Sequence, residues 1–391
     1  MREDEAVTVA KGLNSRAVDA GGAGQRHSPP EWDLGLGREG AGRTLGRRVR
    51  DAVKYRCFRQ KWNIGVVEQP VEVVAGLLGH QRQSQALADV CWMEEEAAGF
   101  RADPFPVRLP GRPDELVILF EALRWSEGRG TIGSAVWNGR GFSPAPYELN
   151  TGHHLSYPLT VELDGEWGIL PEQAEGGELV FYPTAALTGS GQAGRVIAPL
   201  ALLDATPLQM AAGTWVFATM AGADQNTALH LFHAERLDGA WTAHPANPVK
   251  RDASNARPAG TPFQHMGDWF RPAQNCANHY GESIIVNRIV RLDAEGFEEV
   301  AVAELRLPRG SRYDYSLHTL SHCDGVSVID AERPESKWLP SLDRIAVLMR
   351  CSIEEEPTAT KICQVPVSQR FRLLEKYGPR RVADEIHAGG G

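Results

Sequence analysis

The chain has 391 residues, 42% of them hydrophobic, and a formal net charge of −9. That length suits one large domain or two small ones, and the apolar content supports a real core. The negative charge argues against a nucleic-acid partner held by bulk electrostatics, and no run of 18 apolar residues is present to span a membrane as a helix.

In chain order, Met1-Arg2-Glu3-Asp4-Glu5 has no apolar stretch behind it and does not read as a secretory signal. Residues 1–45 are rich in glycine, alanine, arginine and acids, and read as a disordered arm. Lysine and arginine are dense at 38–50 and 369–381. Such runs read as solvated arms, with membrane-surface or polyanion contact as the alternative. Residues 46–60 allow a short basic helix. Trp62 to Val67 reads as a strand that pairs with the last repeat and closes a ring. Residues 70–99 read as helical or irregular. Cys57, Cys91, Cys276, Cys323, Cys351 and Cys363 show no CxxC pairing. They read as the reduced thiols of a cytoplasmic protein, not as a disulfide frame or a zinc site.

A phrase then repeats at intervals of about fifty residues: a turn glycine followed by a short apolar strand. Its copies are Gly165-Glu166-Trp167-Gly168-Ile169-Leu170, Gly213-Thr214-Trp215-Val216-Phe217-Ala218 and Gly267-Asp268-Trp269-Phe270. Looser copies run from Asp114 to Phe120 and from Asp324 to Ile329. Five repeats predict an all-β, five-bladed β-propeller over 46–338. Its blades start near 103, 154, 203, 257 and 317. Tryptophan at equivalent places in three of them reads as packing between blades. The tail, 339–391, breaks the pattern and reads as short, irregular or helical, with frayed residues from 378 on.

A propeller gathers the inner strand ends of every blade around one axis. One ring of side chains there would hold Asp103, Tyr157, Asp204, Arg257 and His318. A second would hold Glu121, Glu172, Thr219 and Gln274. Four carboxylates, a histidine and an arginine exceed what packing needs, because an unpaired charge at a dry centre is costly. Paired carboxylates are also the apparatus for cleaving glycosidic bonds, one as acid and one as base or nucleophile. Trp62 and Tyr157 could stack on sugar faces. Each group has a plain structural reading beside this one. Asp103-Pro104 is a common turn, Glu172 is placed like a surface acid, and Arg257 and Arg271 would neutralise the acids. His318 would be a hydrogen-bonded core histidine. His153 and His154 point opposite ways on a strand, and His230 with His233 makes an equally poor pair, so no metal site and no cofactor are expected.

Several segments together resemble one family. They are Lys61-Trp62-Asn63-Ile64-Gly65, Ala102-Asp103-Pro104-Phe105, His154-Leu155-Ser156-Tyr157-Pro158, Pro171-Glu172 and Leu229-His230-Leu231-Phe232-His233. Asn247-Pro248-Val249-Lys250, Ala256-Arg257-Pro258-Ala259-Gly260, Arg271-Pro272-Ala273-Gln274 and Leu317-His318-Thr319-Leu320 complete the set. The family is the propeller domain at the N-terminus of glucosamine inositolphosphorylceramide transferases, and the resemblance covers about 60–335. That domain is in turn similar to the five-bladed propellers of glycoside hydrolase family 43. The resemblance implies a first-blade Asp as base or nucleophile, matching Asp103, and a third-blade Asp that tunes pKa, matching Asp204. It implies a fifth-blade His, matching His318. Where the family-43 enzymes carry an acid Glu on the fourth blade, this chain has Arg257-Pro258-Ala259-Gly260, and arginine cannot donate a proton at neutral pH. In the plant-type proteins the transferase module is a separate C-terminal part, and the roughly 55 residues after blade five are too few for one.

These readings lead to a carbohydrate-active enzyme acting on a glycan or glycoconjugate, anionic ones included. Asp103 would be base or nucleophile, Glu172 the acid and Asp204 the modulator. Trp62, Glu121, His154, Tyr157, Arg257, Arg271, Gln274 and His318 would bind substrate. A non-catalytic glycan-binding propeller assisting a separate glycosyltransferase is the first alternative, and a protein-interaction scaffold the second.

Overall fold

Three of the repeated turn glycines sit at the tips of two-residue hairpins, whereas Gly213 is the first residue of its strand and pairs with Met210 across an Ala211-Ala212 turn. Asp164-Gly165, Met266-Gly267 and Asp324-Gly325 each place two successive residues at positive φ (56° and 78°, 50° and 89°, 48° and 77°). A type I′ hairpin needs that backbone, and glycine supplies its second position without a steric cost. Each hairpin joins the innermost strand of a blade to the next one out.

The computed structural model describes residues 58–109, 113–189 and 193–336. The predicted arm at 1–45 and tail at 339–391 lie outside the described residues. Five sheets make five blades. Blade 1 is β3 (Gly99–Val107), β4 (Leu116–Arg124), β5 (Arg129–Trp137) and β6 (Phe142–Pro144). Blade 2 is β7 (Ser156–Leu163), β8 (Glu166–Glu172), β9 (Leu179–Pro183) and β10 (Arg195–Ala198). Blade 3 is β11 (Leu202–Met210), β12 (Gly213–Met220), β13 (Ala228–Ala234) and β14 (Thr242–Ala243), with β15 (Lys250–Arg251) also pairing β13. Blade 4 is β16 (Phe263–His265), β17 (Asp268–Asn275), β18 (Ser283–Leu292) and β19 (Phe297–Leu305).

Blade 5 is built from both ends of the ring. Its order is β2-β1-β21-β20, with β1 at Phe58–Val67, β2 at Cys91–Trp92, β20 at Leu320–Cys323 and β21 at Val326–Ser336. The early strand therefore closes the ring against the late one, as the segment Trp62 to Val67 predicts. Between β1 and β2 lie α1 (Val71–Val74) and α2 (His80–Ala88), which bury Val71, Val74, Ala86 and Leu87 at the seam of blades 4 and 5. No helix among the described residues is long and apolar enough to cross a membrane.

The core lies in the seams. Successive side chains of a strand point to opposite faces, so an inner strand packs against both neighbouring blades. In β4, Leu116, Ile118 and Phe120 join the seam with blade 5, whereas Val117 and Leu119 join the seam with blade 2. That double burial is why β4 reads as an unbroken apolar run rather than an alternating one. Trp215 is buried, and the partly buried Trp167 and Trp269 pack at seams, where each large side chain contributes about 1.5–3 kcal/mol when fully buried.

Candidate functional site

The innermost strands of blades 1, 2 and 3 break register at the same place: between Ala102 and Phe105, Ser156 and Leu159, and Leu203 and Thr206. At each break one non-glycine residue is left-handed: Asp103 (φ 52°), Tyr157 (φ 46°) and Asp204 (φ 51°). Bulges re-aim side chains, and strained backbone held in three equivalent blades marks a built site. These three residues then lace the blades together. The Tyr157 amide donates to Asp103 Oδ2 (3.2 Å) across the blade 1–2 seam. The Tyr157 hydroxyl lies 2.8 Å from Thr206 Oγ1 of blade 3 and accepts from the Gly260 amide (2.7 Å), just before blade 4.

One half of the site joins blades 1 and 5. Asp103 Oδ1 accepts from the Thr319 hydroxyl (2.7 Å), and the Asp103 amide donates to Asp330 Oδ2 (2.9 Å). His318 Nδ1 lies 2.6 Å from Asp330 Oδ2, and its Nε2 lies 3.8 Å from Asp103 Oδ1. Burial alone would lower the His318 pKa. Asp330 and then Asp103 outweigh it and hold the imidazole protonated, with a pKa of about 9. Burial lifts Asp103 to about 6; His318 pulls it down, while Asp330 and Asp204 push it up. Trp62 stacks on His318 with ring centroids 4.0 Å apart. Atoms of Asp103, His318 and Asp330 thus cluster within 4.8 Å of one another.

The other half joins blades 2, 3 and 4. Arg257 grips Asp204 with two bonds, Nε to Oδ2 (2.6 Å) and Nη2 to Oδ1 (3.3 Å). Gln274 also donates to Asp204 Oδ2 (3.0 Å), and Asn226 accepts from Arg257 Nη1 (3.1 Å). Glu172 sits 3.7 Å from Arg257. Burial, then the Asp204 charge, drives the Glu172 pKa well up, and Arg257 only partly offsets them. Glu121 is likewise pushed well up by burial and then by Asp103, Glu172, Asp330 and Asp204. Its Oε1 is buried and makes no hydrogen bond; His154 Nε2 is 3.6 Å away. His154 Nδ1 accepts the Gly130 amide (3.0 Å), which fixes the neutral tautomer with its proton on Nε2. Burial and neighbouring charge thus push Glu121 and Glu172 well above the usual carboxylate range, while Asp103 and Asp204 lie beside His318 and Arg257, a contrast of environments that acid–base chemistry uses.

Most of the expected residues meet here, but three carry different duties. Arg271 is turned away: it pairs with Glu299 (2.6 and 2.9 Å) and donates to the Asn255 and Ala256 carbonyls. Tyr157 is fully buried with its ring against Phe105, so it is no sugar platform. Trp62 is 3% exposed and committed to His318. The carboxyls are also drier than a water-accessible funnel implies, with Asp103 and Glu121 each 6% exposed and Asp204 2%. Sequence reasoning missed Asp330, Thr319, Asn226 and Tyr280, whose ring centroid lies 5.2 Å from the Arg257 guanidinium and 5.2 Å from the His318 ring. Asp330 carried a usable signal, because it is an acid inside the apolar run Val328-Ile329-Asp330-Ala331.

Thr319→Val keeps the shape of the side chain and removes the hydroxyl from Asp103. It is expected to destabilise the fold by about 1–3 kcal/mol in urea unfolding. Because that bond lowers the Asp103 pKa, carboxyl NMR titration should show Asp103 moving further up. An unchanged titration would mean that the hydroxyl does not support the carboxylate.

A family model described as "Glucosamine inositolphosphorylceramide transferase 1, N-terminal" matches residues 88–329. Glucosamine inositolphosphorylceramide transferase 1 of Arabidopsis thaliana is 28% identical over 255 residues, covering 61% of this chain and 33% of that protein. The enzyme of the same name from Oryza sativa subsp. japonica is 28% identical over 260 residues, covering 61% and 34%. The chain thus spans about a third of the length of the curated relatives it matches. Among solved structures, an exo-β-1,3-galactanase from Phanerochaete chrysosporium aligns with a TM-score of 0.41 and 12% identity, over 53% of this chain and 50% of that one.

Proposed function

The chain belongs to the glucosamine inositolphosphorylceramide transferase 1 N-terminal family, and from that premise we propose that it is a carbohydrate-active enzyme. In this reading its central carboxyls cleave or transfer a glycosidic or glycosyl-phosphate bond. The observation that carries the proposal is the split between Glu172 and Asp103. Burial and the Asp204 charge raise the Glu172 pKa well above the usual carboxylate range. Asp103, with a pKa of about 6, is ionised at neutral pH. A neutral acid can donate to a leaving oxygen while an ionised partner serves as base or nucleophile. Asp204 pushes Glu172 up, and Arg257 holds Asp204 with two bonds. His318, held by Asp330, steadies Asp103 as an anion.

The expected activity is product release from a panel of glycans and glycoconjugates, followed by chromatography. The sign of its pH dependence follows from the two groups. Activity should rise as pH passes about 6, where Asp103 loses its proton. It should fall again at higher pH as Glu172 ionises. A rate that is flat through pH 6 would remove Asp103 from the mechanism.

A second reading, glycan binding without turnover in support of a separate glycosyltransferase, is favoured by one observation. Both aspartates are already engaged, Asp103 by Thr319 and the Tyr157 amide and Asp204 by Arg257 and Gln274. Binding without product in the same panel would select it.

A further inference from the structure

Tyr280 stands apart from the other aromatic rings of the centre. Trp62 and Tyr157 are buried, whereas Tyr280 is only partly so. It packs on Arg257, in the half of the site that holds Asp204, and meets His318 at 87°, in the half that holds Asp103. Among the described residues no other aromatic side chain touches both of these cations. The turn that carries Tyr280, residues 276–282 between β17 and β18, is built to hold it there. The Ala277 amide donates to Asn275 Oδ1 (3.1 Å), the Glu282 amide to the Asn275 carbonyl (2.8 Å) and Asn278 Nδ2 to Glu282 Oε2 (2.8 Å). Gly281 has a φ of 64°, and a Cβ there would come 2.9 Å from His318 Cβ. Its carbonyl accepts the Leu317 amide (2.7 Å) and ties the turn to blade 5. A side chain fixed this way loses little freedom when it meets a ligand.

The Tyr280 hydroxyl is left without a partner. Its contacts run through the ring, to Arg257, His318 and Trp62, and the hydroxyl makes no hydrogen bond among the described residues. A polar group in such surroundings calls for a partner. Burial lifts the Tyr280 pKa well above the usual phenol range; Arg257 pulls it down, while Asp204 and Asp103 push it up. The hydroxyl is therefore a neutral donor that feels the charges of both halves of the site. The cations of the centre, by contrast, are all engaged. Arg257 gives Nε, Nη1 and Nη2 to Asp204 and Asn226. Arg271 is paired with Glu299, and His318 lies between Asp330 and Asp103. Three aspartates thus stand beside two cations, so an anionic sugar would meet repulsion and no free positive charge.

We infer that the Tyr280 hydroxyl is a substrate-binding donor of the central site, and that the oxygen it bonds belongs to an uncharged sugar residue. The inference rests on the reading that the centre takes a glycan. It narrows the candidate glycans and glycoconjugates to those that place a neutral residue there. A site built to bond a substrate oxygen discriminates strongly against ligands that cannot fill that bond.

The probes are the methyl glycosides of glucose, galactose and mannose and those of glucuronic and galacturonic acid. Each is titrated into the full chain carrying tyrosine labelled with carbon-13 at Cζ, and Tyr280→Phe identifies the Tyr280 signal by its loss. A neutral glycoside is expected to bind and to move that signal. It should bind Tyr280→Phe about tenfold more weakly, with thermal unfolding unchanged because the ring on Arg257 is kept. The uronates should bind more weakly than their neutral counterparts, and the gap should narrow with added salt. A neutral glycoside that binds with the Tyr280 signal unmoved, or that binds Tyr280→Phe as tightly as the unaltered chain, overturns the inference and leaves the glycan reading standing. Uronates that bind more tightly than neutral glycosides overturn the substrate class. If none of the five binds, the glycan reading falls and the inference falls with it.

Discussion

Substituting leucine for Arg257 is expected to cost the propeller about 3–5 kcal/mol, measured by urea unfolding at pH 7. The cost arises because removing one partner of a buried pair strands the other charge. Arg257 is 7% exposed and Asp204 2%, so water cannot replace the guanidinium. Gln274 would remain as the donor to Asp204, and an amide does not cancel a charge. The double change Arg257→Leu, Asp204→Leu should recover much of the loss, because an apolar pair of similar volume is often as stable as a buried ion pair. A cost below about 1 kcal/mol would show that Asp204 is neutral or hydrated in the folded protein, and the charge pattern proposed for the site would fall with it.

Glu172→Gln is expected to lower turnover by about 10²- to 10⁴-fold, the range typical for loss of a positioned proton donor. The amide keeps the shape of the acid and cannot release a proton. Binding should survive, because glutamine still offers hydrogen bonds. The result that sinks the catalytic role is a glutamine variant with wild-type turnover, which would move the acid to Glu121 or to the substrate itself. Stability should change little, since glutamine keeps the size and the hydrogen-bonding groups of the side chain.

The ring was legible because its turns are. Gly165, Gly267 and Gly325 are required by the backbone of their hairpins, and a required glycine leaves a mark in sequence. Asp204 was legible for another reason, as an acid inside an apolar strand. Asp330 has the same signature on the second strand of blade 5, the one blade that contributed no member to the expected ring of Glu121, Glu172, Thr219 and Gln274. Arg271 shows a period that was not applied. It stands three residues from Gln274 on one strand, so the two side chains must face opposite ways, and only Gln274 reaches Asp204. The grip of Arg257 on Asp204 was beyond reach, because 53 positions separate them and only ring geometry brings them together.

Blade 5 has a consequence for how the protein is made. β1 leaves the ribosome ahead of the other described strands of the ring, and its partner β21 follows roughly 260 residues later. At about 5–20 residues per second, β1 waits on the order of tens of seconds for its partner. During that time blades 1 to 4 can pair within themselves, since each is contiguous in sequence. Blade 5 and the Asp103–His318–Asp330 half of the site cannot, because β20 and β21 have not yet been made. The central site is therefore assembled last, and a nascent chain stalled before Asp330 would carry four finished blades and no complete site.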